Sequence, residues 1–283
     1  MENKLTRKYG FTIFNNQPEE SIEYAASNGL RHIELNLSKD LSILDTFTSN
    51  RIRKIKRLTQ AGKVKLSFHL PFTMNVSEII SPYRKNSINY FKYCISLAKK
   101  LGATHITIHA GNFFWFPAEK YMRQKALKRF VKSLAEIVGE CDNSSVKIAL
   151  ENVVPIPQGS EYLLLGDNIE DFKYIFSQIQ SRALRFCLDT GHANMGEGVL
   201  PYINNLYDKL ICVHYHDNKG NNDEHLPVGS GNINWSNFSQ SLINVRFGGP
   251  LISECRNISP IESANLLQNY FNLAVKNGEP PIL

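Results

Sequence analysis

The sequence predicts an α/β fold: a single (β/α)8 barrel spanning residues 1–283, with its functional groups at the C-terminal mouth. Three observations carry this. Eight short apolar runs alternate with longer stretches of helical periodicity, at an average of about 35 residues per unit. The runs are largely apolar, which fits a parallel sheet buried on both faces. Eight units suit a closed barrel better than an open sheet, and no Gly-x-Gly-x-x-Gly follows the first run, which weighs against a dinucleotide-binding fold.

In order, the runs are 11–14, 32–35, 64–68, 105–108, 146–150, 184–188, 210–213 and 250–253. Amphipathic stretches fall between them, among them 87–101, 119–138 and 261–275. The pairs Asn28-Gly29, Ala61-Gly62 and Leu101-Gly102 stand where helices end before strands, so each glycine is expected to close a helix. The connection 215–234 is the longest without a periodic pattern, and long loops in compact domains tend to be functional.

Composition agrees. With 42% hydrophobic and 20% charged residues, the chain is neither disordered, collagen-like nor a disulfide miniprotein. At 283 residues it has room for two domains of about 150 residues or one barrel of about 250. No apolar run approaches the roughly 18 residues of a membrane span, so no membrane partner is expected. The polar N-terminus has no signal-type apolar core. Cys94, Cys141, Cys187, Cys212 and Cys255 are odd in number and lack Cys-x-x-Cys spacing; reduced thiols and a cytoplasmic location are expected. The net charge of +6 points to a phosphorylated or polyanionic partner. The basic stretches 51–57 and 122–132 are read as solvated faces of outer helices.

In an α/β barrel, chemistry gathers where strands end. The third to eighth runs end in His69, His109, Glu151, Asp189, His214 and Glu254. His192, Asp223 and His225 lie on loops just beyond, and His216 is two residues past His214. His32 and His105 open their strands and belong to the opposite, stabilising face. One such residue is ordinarily a hydrogen-bonded core group or a helix cap. Six in succession, converging on one mouth, would repel or be desolvated without a cation. A metal centre is therefore expected. Imidazole and carboxylate without thiolate suit Zn²⁺, Mn²⁺, Co²⁺ or Fe²⁺. The set His69, His109, Glu151, Asp189, His192, His214, Asp223, His225 and Glu254 is too large for one open ion. It implies two or three ions, or one ion with the remaining groups on substrate. Phe72, Asn112, Trp115 and His216 are the candidate substrate contacts; the aromatic run that includes Trp115 would either stack on a ring or seal the rim.

The segments FHLPF (68–72), TIHAG (107–111), ALENV (149–153), CLDTGHAN (187–194), VHYHD (213–217), DEHLPVGSGNINW (223–235) and ISEC (252–255) carry a resemblance. Together they resemble the xylose-isomerase-like TIM barrel superfamily, which includes endonuclease IV and the sugar phosphate isomerase/epimerase proteins. The endonuclease IV pattern implies three zinc ions: one on His69, His109 and Glu151; a second on Glu151, Asp189, His214 and Glu254; a third on His192, Asp223 and His225. The isomerase/epimerase pattern implies one ion on Glu151, Asp189, His214 and Glu254, with His192 touching substrate. Stretch 36–45 lacks the arginine and tryptophan of the endonuclease's DNA loop, Phe72-Thr73 replaces its Tyr-Leu pair, and 153–159 replaces its Gly-Gln-Gly. A small sugar or sugar phosphate is therefore favoured over nucleic acid as partner. The leading expectation is a metal-dependent isomerase or epimerase. Glu151 and Glu254 would move a proton through a metal-stabilised enediolate, and His192 would orient substrate. A trinuclear phosphodiester hydrolase is the alternative, and a non-catalytic metal-binding barrel the third.

Overall fold

The computed structural model describes residues 5–14, 17–38, 41–114, 120–157 and 160–277. Among these the strands are β1 (Tyr9–Ile13), β2 (His32–Asn36), β3 (Lys65–His69), β4 (His105–His109), β5 (Asn112–Phe114), β6 (Lys147–Glu151), β7 (Tyr162–Leu164), β8 (Leu184–Asp189), β9 (Leu210–Tyr215) and β10 (Leu251–Ser253). The helices are α1 (Pro18–Ser27), α2 (Ser49–Gly62), α3 (Ser81–Leu101), α4 (Lys120–Gly139), α5 (Ile169–Gln178), α6 (Thr190–Met195), α7 (Val199–Leu206), α8 (Trp235–Asn244) and α9 (Pro260–Asn277), with a 3-10 turn at Leu41–Thr46.

Eight strands close a barrel in the order β1-β2-β3-β4-β6-β8-β9-β10, every pair parallel. This is the (β/α)8 TIM barrel that the sequence predicts. The eight expected runs each overlap one strand. Several strands run one or two residues further than expected, through the polar residue that ends them. Asn36 pairs with His69, His109 with Glu151, and Asp189 with His214. The candidate site residues on these strands are thus held by the ladder itself.

Two elements depart from expectation. The helix expected from 87 starts at Ser81, because its first turns are polar and exposed and show no apolar stripe; Pro82 suits such a first turn. The small antiparallel pair β5–β7 outside the barrel was not anticipated. One glycine is corrected. Gly29 and Gly102 do take left-handed conformations, but the left-handed residue after α2 is Lys63, at φ 52°. A Cβ on Gly62 would stand 2.9 Å from the Ala26 Cβ, so Gly62 serves the close approach of α2 to α1.

The main apolar core lies between barrel and helices. A separate small cluster, Ala149, Cys187, Cys212 and Ile252, lies on β6, β8, β9 and β10. On β2, β3 and β4 the counterparts are polar: Glu34 Oε2 accepts from Ser67 Oγ at 2.8 Å and Thr107 Oγ1 at 3.0 Å. All five cysteines are free thiols.

Candidate metal centre at the C-terminal mouth

Glu151, at the end of β6, is the hub. Its Oε2 lies 3.0 Å from His69 Nε2 and 2.9 Å from His109 Nε2, while Oε1 accepts from His214 Nδ1 at 2.7 Å. Glu254 Oε1 stands 3.3 Å from the same His214 Nδ1 and also accepts from Thr12 Oγ1 at 3.3 Å. Across the mouth, His216 Nε2 contacts Asp189 Oδ1 at 3.1 Å, and its ring stacks on His225 with centroids 4.0 Å apart. His225 Nε2 reaches Asp223 Oδ2 at 3.1 Å, and His192 Nε2 lies 3.7 Å from the same oxygen. All nine predicted ligand-type residues therefore gather at the C-terminal ends of the strands.

Among the described residues, four triads have ligand atoms mutually within 4.8 Å: His69–Glu151–His214, Glu34–His214–Glu254, Asp189–His192–His216 and His216–Asp223–His225. Their chemistry fits a divalent cation. His69, His192 and His225 each donate Nδ1–H to a backbone carbonyl, of Leu70, Asn152 and Glu254, at 3.0, 2.9 and 3.0 Å. That bond fixes ring and tautomer and leaves Nε2 as the free ligand atom, the usual arrangement around metal-binding imidazoles. His109 Nδ1, His216 Nδ1 and Asp223 Oδ1 are buried without a hydrogen-bond partner. Such atoms are costly unless something else satisfies them.

Without a cation, protons occupy the site. Burial lowers the basicity of His69, but Glu151 outweighs it and raises the group to about 9. His192 rises to about 10, with burial opposed by Asp189 and Asp223. His214 rises well above its usual value because Glu34, Glu151 and Glu254 overcome burial. Burial alone would raise Glu151; the charges of His214 and His69 instead hold it well below the usual carboxylate range. His109 differs, since burial pushes it down against the pull of Glu151.

Three positioning residues escaped the sequence reading. Glu34, mid-strand on β2 and fully buried, sets Oε1 2.8 Å from His214 Nε2, off the hydrogen-bonding direction, so the contact is electrostatic. Its signal was legible: His32, Glu34 and Asn36 alternate, so all three share one face of the strand. Asn152 ties the ends of β6 and β8, donating to Asp189 O at 2.9 Å and accepting from Asp189 N at 2.8 Å. Buried Asp217 organises the 216–234 loop, accepting from Gly229 N at 2.9 Å, Ile233 N at 3.3 Å and Trp235 Nε1 at 2.8 Å.

Asp189 also caps α6, accepting from His192 N at 2.7 Å, so the cap reading and the ligand reading coexist. Gly191 is required by close packing: a Cβ there would stand 1.9 Å from His216 Cε1. Among the candidate substrate contacts, Phe72 is 40% exposed and meets His109 edge to face, with centroids 5.3 Å apart. His216 is fully buried within the ligand cluster. Asn112 is bonded to Asn75, whose Nδ2 donates to the Asn112 side-chain oxygen at 3.1 Å. Trp115 lies outside the described residues.

A protein of known structure described as D-tagatose 3-epimerase-like superposes with a TM-score of 0.79 at 26% identity, covering 95% of this chain and 98% of its own. An uncharacterised protein of Methanocaldococcus jannaschii is 28% identical over 229 residues, 78% of this chain and 75% of its own length. A probable endonuclease 4 of Mycoplasmopsis synoviae is 22% identical over 266 residues, 89% of this chain and 87% of its own. The sequence model described as "Xylose isomerase-like TIM barrel" matches residues 22–270, and the chain belongs to that family.

Proposed function

We propose that the chain is a divalent-metal-dependent isomerase or epimerase of a sugar, a sugar phosphate or a related polyol. One observation carries this reading: Glu151 and Glu254 converge on one atom, His214 Nδ1, at 2.7 and 3.3 Å. A cation held by Glu151, Asp189, His214 and Glu254 would polarise a substrate carbonyl and its neighbouring hydroxyl, acidifying the adjacent C–H bond. One glutamate takes that proton and the other returns one, the pairing that isomerisation or epimerisation needs. His192 and His225, their Nδ1 atoms fixed by backbone carbonyls, orient hydroxyl or phosphate oxygens. Phe72 offers an apolar wall to the C–H face of a sugar ring. The likeness to a D-tagatose 3-epimerase-like protein supports this substrate class.

The test is exchange in D2O. The metal-loaded chain, given a panel of ketoses and their phosphates, is expected to place deuterium on the carbon beside the carbonyl. No incorporation across the panel rejects the reading.

Two observations favour a second reading, phosphodiester hydrolysis at a three-ion centre. Glu151 stands between the His69–His109 pair and His214, as a bridging carboxylate would. Asp223, His225 and His216 form a further ligand group. Three ions per chain with cleavage of an abasic-site duplex would establish it; full zinc occupancy without cleavage would reject it.

A further inference from the structure

The opposite end of the barrel carries its own cavity, of about 310 Å³. Lys8, Arg31, Lys65 and Lys147 line it, with His32 and His105. Lys65 and Lys147 are the first residues of β3 and β6, and Lys8 and Arg31 directly precede β1 and β2. Strand closure itself thus brings four cations to one opening. None of the described lining residues is acidic. An adjoining cavity of about 420 Å³ shares Lys65 and adds Lys56 and Lys63, again with no acid among its described lining residues.

We propose that this N-terminal mouth is a second binding site, one that takes a small phosphate-bearing anion. Gathering like charges disfavours the compact state unless a counter-charge is bound. Helix C-termini on this face attract cations and offer an alternative reason for lysines here. Two lysines do serve backbone carbonyls: Lys99 Nζ donates to Glu140 O at 2.5 Å, and Lys8, one of the four at the opening, donates to Gly248 O at 2.9 Å, which leaves Arg31, Lys65 and Lys147. Among the described residues, the side chains of Arg31, Lys65 and Lys147 have neither a carboxylate partner nor a carbonyl acceptor. Buried His105 also lines the cavity, but its ring is engaged elsewhere: Nε2 lies 3.5 Å from Glu34 Oε2 and Nδ1 2.9 Å from Thr104 Oγ1, so the three cations carry the site.

Size and lining select the ligand. The volume sits at the lower end of the roughly 300–1,000 Å³ of small-molecule sites. None of its described lining residues carries a phenyl, phenol or indole ring, the stacking platform that single-stranded nucleic acid uses. Lys and Arg head groups supply the charge-assisted donors that phosphate oxygens accept.

The experiment is calorimetric titration of the full chain with inorganic phosphate at low salt. Saturable binding of one equivalent is expected, weakened at least tenfold in K65Q/K147Q and retained in Glu254→Gln at the other mouth. Thermal unfolding checks that K65Q/K147Q is folded, and Arg31→Gln alone gives a second reading, a loss of several-fold. No saturable binding overturns the proposal, as does binding that survives K65Q/K147Q but is lost in E254Q. Binding of an oligonucleotide duplex through Lys65 and Lys147, with none of phosphate, overturns it in favour of nucleic acid.

Discussion

The two ends of the barrel are chemical opposites built from the same strands. β3 begins at Lys65 and ends at His69; β6 begins at Lys147 and ends at Glu151. Within five residues each strand passes from a cation to a metal-ligand type. The C-terminal mouth gathers Glu151, Asp189, Asp223 and Glu254 with six histidines, and the N-terminal mouth gathers Lys8, Arg31, Lys65 and Lys147. The lesson concerns net charge. A balance of +6 reads as a single attraction for polyanions, yet the mouth that carries the ligand set is rich in carboxylate. Bound cation, rather than lysine or arginine, is the positive charge a substrate would meet there.

A polar path joins the two ends. His32 Nε2 bonds Ser67 Oγ at 2.8 Å, Ser67 Oγ donates to Glu34 Oε2 at 2.8 Å, and Glu34 Oε1 faces His214 Nε2. The contrast between the ends can be broken at either mouth or at this path between them. Glu151→Gln strikes the hub of the acidic mouth. Losing a proton-transfer group typically costs about 10²–10⁴ in rate, and deuterium exchange is expected to fall by that factor or more. Glu34→Gln keeps the shape but removes the charge beside His214. Partners of ligating groups are typically worth about 10–100-fold in metal affinity, a loss that competition with a chromophoric chelator would measure. Unchanged affinity would show that Glu34 only fills the barrel.

The pH dependence sharpens the same contrast. In the metal-free chain His69 and His192 have folded values raised to about 9 and about 10, above the ordinary 6.5. Their pairing with carboxylates therefore stabilises the fold fully below pH 6.5, and that contribution is lost as pH rises through about 9 to 10. Metal must displace these protons, so metal affinity is expected to rise with pH up to that range. Calorimetry at pH 7 in buffers of different ionisation enthalpy should record proton release; none would contradict the picture. The smallest effect is expected at the basic end: K65Q/K147Q should change kcat/KM for a turned-over sugar less than about twofold, since exposed charges further away than the Debye length of ~10 Å at 0.1 M salt are largely screened. A large loss would mean that the basic mouth belongs to the reaction.

Much of this was legible in the sequence. Eight apolar runs gave eight barrel strands, and the polar residue closing each of the last six marked one mouth, because strand direction fixes which end a terminal residue occupies. What was missed lay where periodicity is silent. Glu34 sits inside a strand rather than at its end, so attention to termini passed over it. Lys65 and Lys147 begin strands, and their convergence exists only once the barrel closes. Gly62 resembles a helix cap in sequence, while its reason is the Ala26 methyl of a neighbouring helix. His216 shares the direction of His214, but its burial follows from packing on Gly191 and His225.

The central claim is that the crowded C-terminal mouth is a metal centre, and metal content per chain tests it most directly. Elemental analysis of the purified full chain after loading and desalting should give at least one tightly held divalent ion. That ion should be lost or greatly weakened in Glu151→Gln and retained in K65Q/K147Q. A wild-type chain that retains no ion, or one whose ion is unaffected by Glu151→Gln, would contradict the account.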